Sequence, residues 1–444
     1  MSVASLPRGT LDPHIPIERF PVTLDTTLLD DLEWRGLIAH STDLAALREA
    51  LASGSVRFYV GFDPTAPSLH LGNLVQILTA RRLQLAGHTP YALVGGATGM
   101  IGDPKDSGER QLNSLDTVKE WVERVRAQIE PFLSFEGENA ATMVNNYDWT
   151  ASLSTIDFLR DIGKHFPVNR MLARDVVRSR LDAGISYTEF SYVLLQSLDF
   201  LNLFRDHDVT LQFGGSDQWG NLTGGVELIR RADAGRAHAF ATPLVTKADG
   251  TKYGKTEGGA LWLDPDMMSP YAFFQFWLNV EDEKVGELLR IFTFLSREEI
   301  ERLEAEHAEK PFLRAGQRTL AEHVTTLVHG APETERIKAA SAALFGSGDL
   351  RTVGWSTLHA ALATARPLVS VPADAVPTIV DLLVETDLVK SKGEARRAVA
   401  EGGAYLNNER VDDPEYVPGD SDLIDDRLLV LRRGKKSFAG VEVR

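Results

Sequence analysis

At 444 residues the chain exceeds what one hydrophobic core organises, so two or three domains are expected. With 43% hydrophobic and 25% charged residues, no apolar run of about 18, and no cysteine, membrane spans, disulfides and thiolate metal sites are excluded. The net charge of -16 opposes nucleic-acid binding unless a local basic patch supplies it.

The opening MSVASLPRGTLDPHIP lacks the apolar core of a signal peptide, so a cytoplasmic location is expected, and residues 1–26 read as a loosely attached extension. Over 27–268, short β-rich runs alternate with helical patterns: VRFYVGF (56–62), YALVGGAT (91–98), TMVNNY (142–147) and VTLQFGG (209–215). That alternation predicts an α/β domain with a parallel sheet and right-handed crossovers. Residues 269–346 turn helical, with Ser269 and Pro270 as N-cap and first helical residue, and Ser296 with Glu299 as a capping box. Residues 347–376 read as a joint on SGD and the prolines at 367 and 372. Residues 377–444 predict a small α+β domain, two short helices followed by strands.

Strand 56–62 runs into GFDPTAPSLHLGNL, where Gly61, Asp63, Pro64, Thr65 and Pro67 make a turn and His70, Gly72 and Asn73 open a helix. Ligands of open parallel sheets bind beyond the strand carboxyl ends, and a helix N-terminus there suits a phosphate. The blander alternative is that His70 caps its helix and Asp63 closes a turn. A second stripe lies in TEFSYVLLQSLDFLNLF, apolar on nearly every side, with Tyr192, Gln196 and Asp199 spaced to share one face. Three aligned polar groups in a buried helix favour a polar ligand pocket over mutual bonding.

Further along, ALVGGATGMIGDPKDSGER is a Gly-rich turn carrying Asp103, Lys105 and Arg110. In QFGGSDQWGN, Gly214 and Gly215 permit close backbone approach, with Asp217 placed for a ribose hydroxyl. The loop KADGTKYGKT misses the P-loop spacing by one residue and no helix-forming run follows it. Arg427, Arg432, Arg433, Lys435 and Lys436 near the end, with Lys390, Lys392, Arg396 and Arg397 before them, form a basic concentration on an acidic body.

YVGFDPTAPSLHLGN resembles the first signature of the class I aminoacyl-tRNA synthetases in their bacterial tyrosine form, and the likeness continues from about residue 28 to the end. Asn73 stands where many members have a second histidine. The resemblance implies a Rossmann-like catalytic domain over 27–268, a helical anticodon-side subdomain over 269–346, and a ribosomal-protein-like RNA-binding domain over 377–444. It implies that Asp199 and Tyr59 meet the substrate phenol, and that Tyr192, Gln196 and Asp103 meet the ammonium with Gln218 beside the carboxylate. Gly61, Asp63, His70, Gly72, Asn73, Gly215, Asp217 and Lys255 would hold ATP, while His70, Asn73, Thr65, Lys252, Lys255 and Arg110 would stabilise the transferring phosphate. Lys105 falls in a segment of altered spacing. Lys392, Arg396, Arg397, Arg432, Arg433, Lys435 and Lys436 would face RNA, and the partners implied are tyrosine, ATP with magnesium on its phosphates, tRNA(Tyr) and a second copy of the chain.

Two other readings stay open. A tryptophan-specific relative shares the nucleotide chemistry, though Tyr59 with Asp199 suits a phenol better and the appended RNA domain is unusual for it. A non-catalytic RNA-binding protein on the same scaffold would not need intact phosphate and amino-acid motifs.

Overall fold

A computed structural model describes residues 27–104, 112–251, 253, 260–345, 349–434 and 437–444. Arg110, Lys105, Lys252, Lys255, Lys435, Lys436 and the extension 1–26 lie outside the described residues. The chain divides into two compact units, one reaching to Met267 and adding Glu281–Glu309, the other formed by Met268–Val280 and Lys310–Arg444.

The first unit is organised by six strands: β1 (His40–Ser41), β2 (Arg57–Phe62), β3 (Thr89–Val94), β4 (Thr142–Asn145), β5 (Val209–Gly215) and β6 (His238–Thr242). Their order is β1-β6-β5-β2-β3-β4, parallel throughout except for the antiparallel edge strand β1. From β2 the chain winds outward through β3 to β4, then returns to β5 and winds the other way to β6. The order therefore reverses between β2 and β5, and a crevice opens beyond their carboxyl ends. Central strands read as nearly continuous apolar runs because both faces are covered: β6 is buried at every residue and β3 at five of its six.

Helix α1 (Leu28–Trp34) precedes the first strand and α2 (Leu44–Ser53) joins β1 to β2, while the crossovers between parallel strands carry α3 (Leu71–Leu85), α4 (Leu115–Ile129), α5 (Tyr187–His207) and α6 (Trp219–Asp233). Helix α3 is buried almost all round, and its buried polar groups are spent on anchoring it. Gln76 donates to Thr242 Oγ1 at 2.7 Å, and Gln84 bonds the Ser134 and Asn139 carbonyls. Arg82, with Arg35 beside it, donates to the Thr293 carbonyl just past a helix of the 281–309 segment. The helix that opens on His70 is thus tied to its neighbours along its middle and C-terminal half.

The helical run from Ser269 is divided: α7 (Pro270–Leu278) belongs to the second unit, whereas α8 (Val285–Phe292) and α9 (Arg297–Glu309) belong to the first. Both sequence-read caps form, Ser269 accepting from Ala272 N and Ser296 exchanging bonds with Glu299. In the second unit α10 (Ala315–His329) and α11 (Ala331–Leu344) pack with α7. Residues 347–376, read as a joint, instead carry α12 (Trp355–Ala365) and β7 (Val369–Val371). Leu358, Ala361 and Leu362 bury one face of α12, a helical period that the flanking SGD and prolines obscured.

The remainder is α13 (Ile379–Glu385), α14 (Lys392–Ala400), β8 (Ala404–Leu406), β9 (Glu409–Arg410), β10 (Leu428–Arg433) and β11 (Ser437–Val443). The sheet order is β7-β11-β10-β8-β9, and Asn407 and Asn408 turn β8 into β9 with φ of 50° and 69°. No helix among the described residues is long and apolar enough to cross a membrane.

Candidate active site

At the crevice, β2 hands over to a turn in which Thr65 N donates to the Asp63 carbonyl at 2.8 Å. His70 then caps α3: its Nδ1 accepts from Gly72 N at 3.1 Å, while Asn73 Oδ1 accepts from His70 N at 3.0 Å. An imidazole accepting through Nδ1 carries its proton on Nε2, so capping fixes the tautomer and leaves Nε2 as a donor. Burial lowers the His70 pKa and the charge of Asp217, just past β5, opposes that shift. The cap and the remaining donor are therefore the same side chain. Gly61, Gly72 and Gly215 border this end of the sheet; Gly215 stands where a Cβ would meet Asp217 Oδ1 at 2.7 Å.

Behind this edge a continuous hydrogen-bond chain runs inward. Tyr192 donates from α5 to Asp63 Oδ2 at 2.6 Å, and Thr98 donates to Asp63 Oδ1 at 2.6 Å. Asn146 donates to Thr98 Oγ1 at 2.9 Å and to Asp199 Oδ2 at 3.0 Å, and its own oxygen accepts from Ala97 N at 2.7 Å. Trp149 Nε1 completes Asp199 from the other side at 2.9 Å. Gly95 is required where this chain passes, because a Cβ there would lie 2.1 Å from Asp63 Oδ1 and 2.3 Å from Thr98 Oγ1.

Asp199 is 2% exposed, and burial pushes its carboxyl up to about 7 despite the two donors from Asn146 and Trp149. Tyr59, on β2 and packed on Phe200 at 5.2 Å, has a hydroxyl that is buried without a hydrogen-bond partner. Burial and then the Asp199 charge hold its pKa well above the ordinary tyrosine value. Gln196 Oε1, on the same helix as Asp199, is another buried, unpartnered acceptor. Orphaned polar atoms are costly, and a cluster of them beside a buried carboxylate is the signature of a cavity shaped for a polar ligand.

A separate network sits at the start of α6. Gln218 Nε2 donates to Asp103 Oδ2 at 2.9 Å, and Asn221 Nδ2 donates to Gln218 Oε1 at 2.8 Å and to Asp103 Oδ1 at 3.3 Å. Arg174 donates in turn to Asn221 Oδ1 at 2.6 Å. The structure thus brings together Tyr59, Asp63, Asp103, Tyr192, Asp199 and Gln218, with His70, Asn73, Thr65 and Asp217 at the neighbouring strand ends.

Tyr192 is engaged by Asp63, a contact that sequence spacing did not anticipate. Sequence reasoning also missed Thr98, Asn146, Trp149, Asn221 and Arg174. The signal for Asn146 and Trp149 was TMVNNYDW, a polar pair and an indole at a strand carboxyl end, where ligands of such sheets gather. The described residues hold no group of three or more His, Cys, Asp or Glu suited to a metal ion.

In the second unit the basic candidates differ in availability. Lys392 pairs with Asp381 at 2.5 Å, Arg396 with Glu415 at 3.2 Å and Arg433 with Glu394 at 2.8 Å, on the surface where such pairs contribute little and exchange readily. Arg397 is exposed. Arg432 is buried, stacked 3.9 Å from Tyr405 and bonded to the Gly434 carbonyl, which withdraws it from the surface.

A parallel sheet with a capped helix at the switch point, and a buried carboxylate with unpartnered polar atoms near it, fit a class I synthetase catalytic domain. Residues 51–346 match the family of class I tRNA synthetases (W and Y), and residues 361–441 match the Tyrosine--tRNA ligase SYY-like C-terminal domain. Tyrosine--tRNA ligases from Streptomyces coelicolor and Kineococcus radiotolerans are 62% and 58% identical, covering 94% and 93% of this chain and 99% and 98% of their own. A solved mitochondrial tyrosyl-tRNA synthetase from Coccidioides posadasii, C-terminally truncated, is 31% identical with a TM-score of 0.62, covering 70% of this chain and 90% of its own. The chain belongs to the class I tRNA synthetases, on their tyrosine branch.

Proposed function

We propose that this chain is a tyrosine--tRNA ligase that activates L-tyrosine with ATP to tyrosyl-adenylate and pyrophosphate, then transfers tyrosine to the 3′ end of tRNA(Tyr). The observation that carries the amino-acid assignment is the buried Asp199 facing the partnerless Tyr59 hydroxyl. A substrate phenol donates to Asp199 and pairs with Tyr59, so both groups gain partners that phenylalanine cannot give. An indole would present its single donor from a differently shaped ring, which disfavours the tryptophan reading.

In this reading Asp103, Tyr192 and Gln196 take the ammonium, and Gln218 lies beside the carboxylate. That carboxylate is already a nucleophile and needs no general base. It attacks the α-phosphorus in line, and pyrophosphate leaves with the electron pair of the broken bond. His70, in its fixed tautomer, donates with Asn73 and Thr65 toward the phosphates, and Gly61, Asp63, Gly72, Gly215 and Asp217 seat the nucleotide. Lys252, Lys255 and Arg110 neutralise the departing pyrophosphate by family resemblance. Catalysis is then positioning plus charge stabilisation.

Magnesium enters with ATP as part of the substrate; the donor set at this end, an imidazole, an amide and a hydroxyl, suits phosphate oxygens rather than a resident cation. The exposed cations Lys392, Arg396, Arg397 and Arg433, with Lys435 and Lys436, form the RNA face, and the enzyme works as a cytoplasmic homodimer. ATP–pyrophosphate exchange tests the reading. Exchange driven by tyrosine supports it; exchange driven by tryptophan installs the tryptophan reading, and no exchange with either installs the non-catalytic one.

A further inference from the structure

We infer that Arg174 is a positioning residue that sets the amide orientation of Gln218, and through it the recognition of the substrate carboxylate; this rests on the tyrosine reading above. A guanidinium only donates, so the Asn221 oxygen must face Arg174, where the bond is 2.6 Å. The Asn221 NH2 group is thereby turned toward Asp103 and the Gln218 oxygen. With its oxygen engaged by Asn221, Gln218 turns its own NH2 inward, spending one N–H on Asp103. Its second N–H is left for a ligand carboxylate. Without Arg174 only the Asp103 carboxylate opposes reversal of the two amides, and a reversed Gln218 would offer the ligand carboxylate a lone pair.

The placement of Arg174 is otherwise unfavourable, which argues that it is not incidental. It lies against the first turn of α6, where the helix dipole repels a cation. Burial lowers its pKa, with the Asp103 charge opposing. Gly220, in that first turn, is what admits it: a Cβ there would lie 2.9 Å from both Nε and an Nη of Arg174. Asn221 is only 2% exposed, so its amide has no water to satisfy it in the reversed orientation.

The test uses the full chain and compares dissociation constants for L-tyrosine and for tyramine, which keeps the phenol and ammonium but lacks the carboxylate. Arg174→Ala should lower the preference for tyrosine over tyramine about tenfold, the scale of a lost bond to a charged group. Arg174→Lys, which still donates to Asn221, should keep most of it. Asn221→Ala should lower the preference as Arg174→Ala does, and the double variant should fall no further, because both act on one chain of bonds. A preference unchanged in Arg174→Ala, an equal loss for both ligands, or additive effects in the double variant overturns the inference. Should Arg174→Ala not fold, Asn221→Ala decides: an unchanged preference overturns it. If the parent protein binds neither tyrosine nor tyramine, the tyrosine reading itself has failed, whatever the variants do.

Discussion

Asn146 donates to Asp199 at 3.0 Å, joining the end of β4 to the middle of α5, and it spends its second N–H on Thr98 and its oxygen on Ala97 N. One amide therefore holds the charge of the amino-acid pocket in register with the Asp63 turn that leads to His70. Asn146→Ala should destabilise the fold by about 2 kcal/mol, since it strands several buried groups at once. It should raise the KM for tyrosine more than that for ATP. Urea unfolding and steady-state exchange kinetics check both halves, and a stable variant with unchanged tyrosine KM would remove Asn146 from this role.

The pKa of Asp199 predicts a trade between stability and function. Its folded value of about 7 exceeds the ordinary 3.8, so its contribution to stability is complete below about 3.8 and is lost as pH rises through 7. Asp199→Asn removes a group that is costly to ionise, so at pH 8 the variant should be more stable than the parent by roughly 2–4 kcal/mol. The difference should shrink steadily toward pH 5. Denaturant melts at the two pH values measure it; a variant less stable than the parent at pH 8 would contradict the assigned burial cost.

Tyr59 carries a buried hydroxyl with no hydrogen-bond partner. Tyr59→Phe should therefore leave stability unchanged or raise it by about 1 kcal/mol, the relief of an unsatisfied buried group. Tyrosine affinity should nonetheless fall. Thermal unfolding with and without tyrosine separates the two effects, and a destabilised free protein would mean the hydroxyl has a partner.

His88 lies at the end of α3's connection to β3, wholly buried, with Nδ1 accepting from Val56 N at 3.2 Å. Burial lowers its pKa to about 4. Between about 4 and 6.5 the unfolded chain binds a proton that the folded one does not, so stability falls as pH drops through that window. The loss should reach about 2 kcal/mol at pH 5 relative to pH 7. His88→Gln should lack that increment, and equal pH slopes in the two proteins would refute it.

Much of this was legible in the residues because periodicity and punctuation are local. The alternating runs read correctly as a parallel sheet, and the buried polar stripe of Tyr192, Gln196 and Asp199 read correctly as one helix face. What escaped were partners supplied from distant elements. Asn146 meets Asp199 across 53 positions and Tyr192 meets Asp63 across 129, and no spacing rule reaches that far. Arg432 was read as facing RNA on local charge and family resemblance, yet it is buried and stacked on Tyr405. The helix at 355–365 was hidden by the glycines and prolines around it, which marked its ends rather than its absence.

The central claim is that a buried carboxylate and a partnerless phenol select the hydroxyl of tyrosine. It is met most directly by measuring kcat/KM for ATP–pyrophosphate exchange with tyrosine and with phenylalanine, in the parent and in Asp199→Asn. The account predicts a strong tyrosine preference in the parent that shrinks by at least about tenfold in the variant, chiefly through loss of activity with tyrosine. A preference that survives the substitution intact would contradict it.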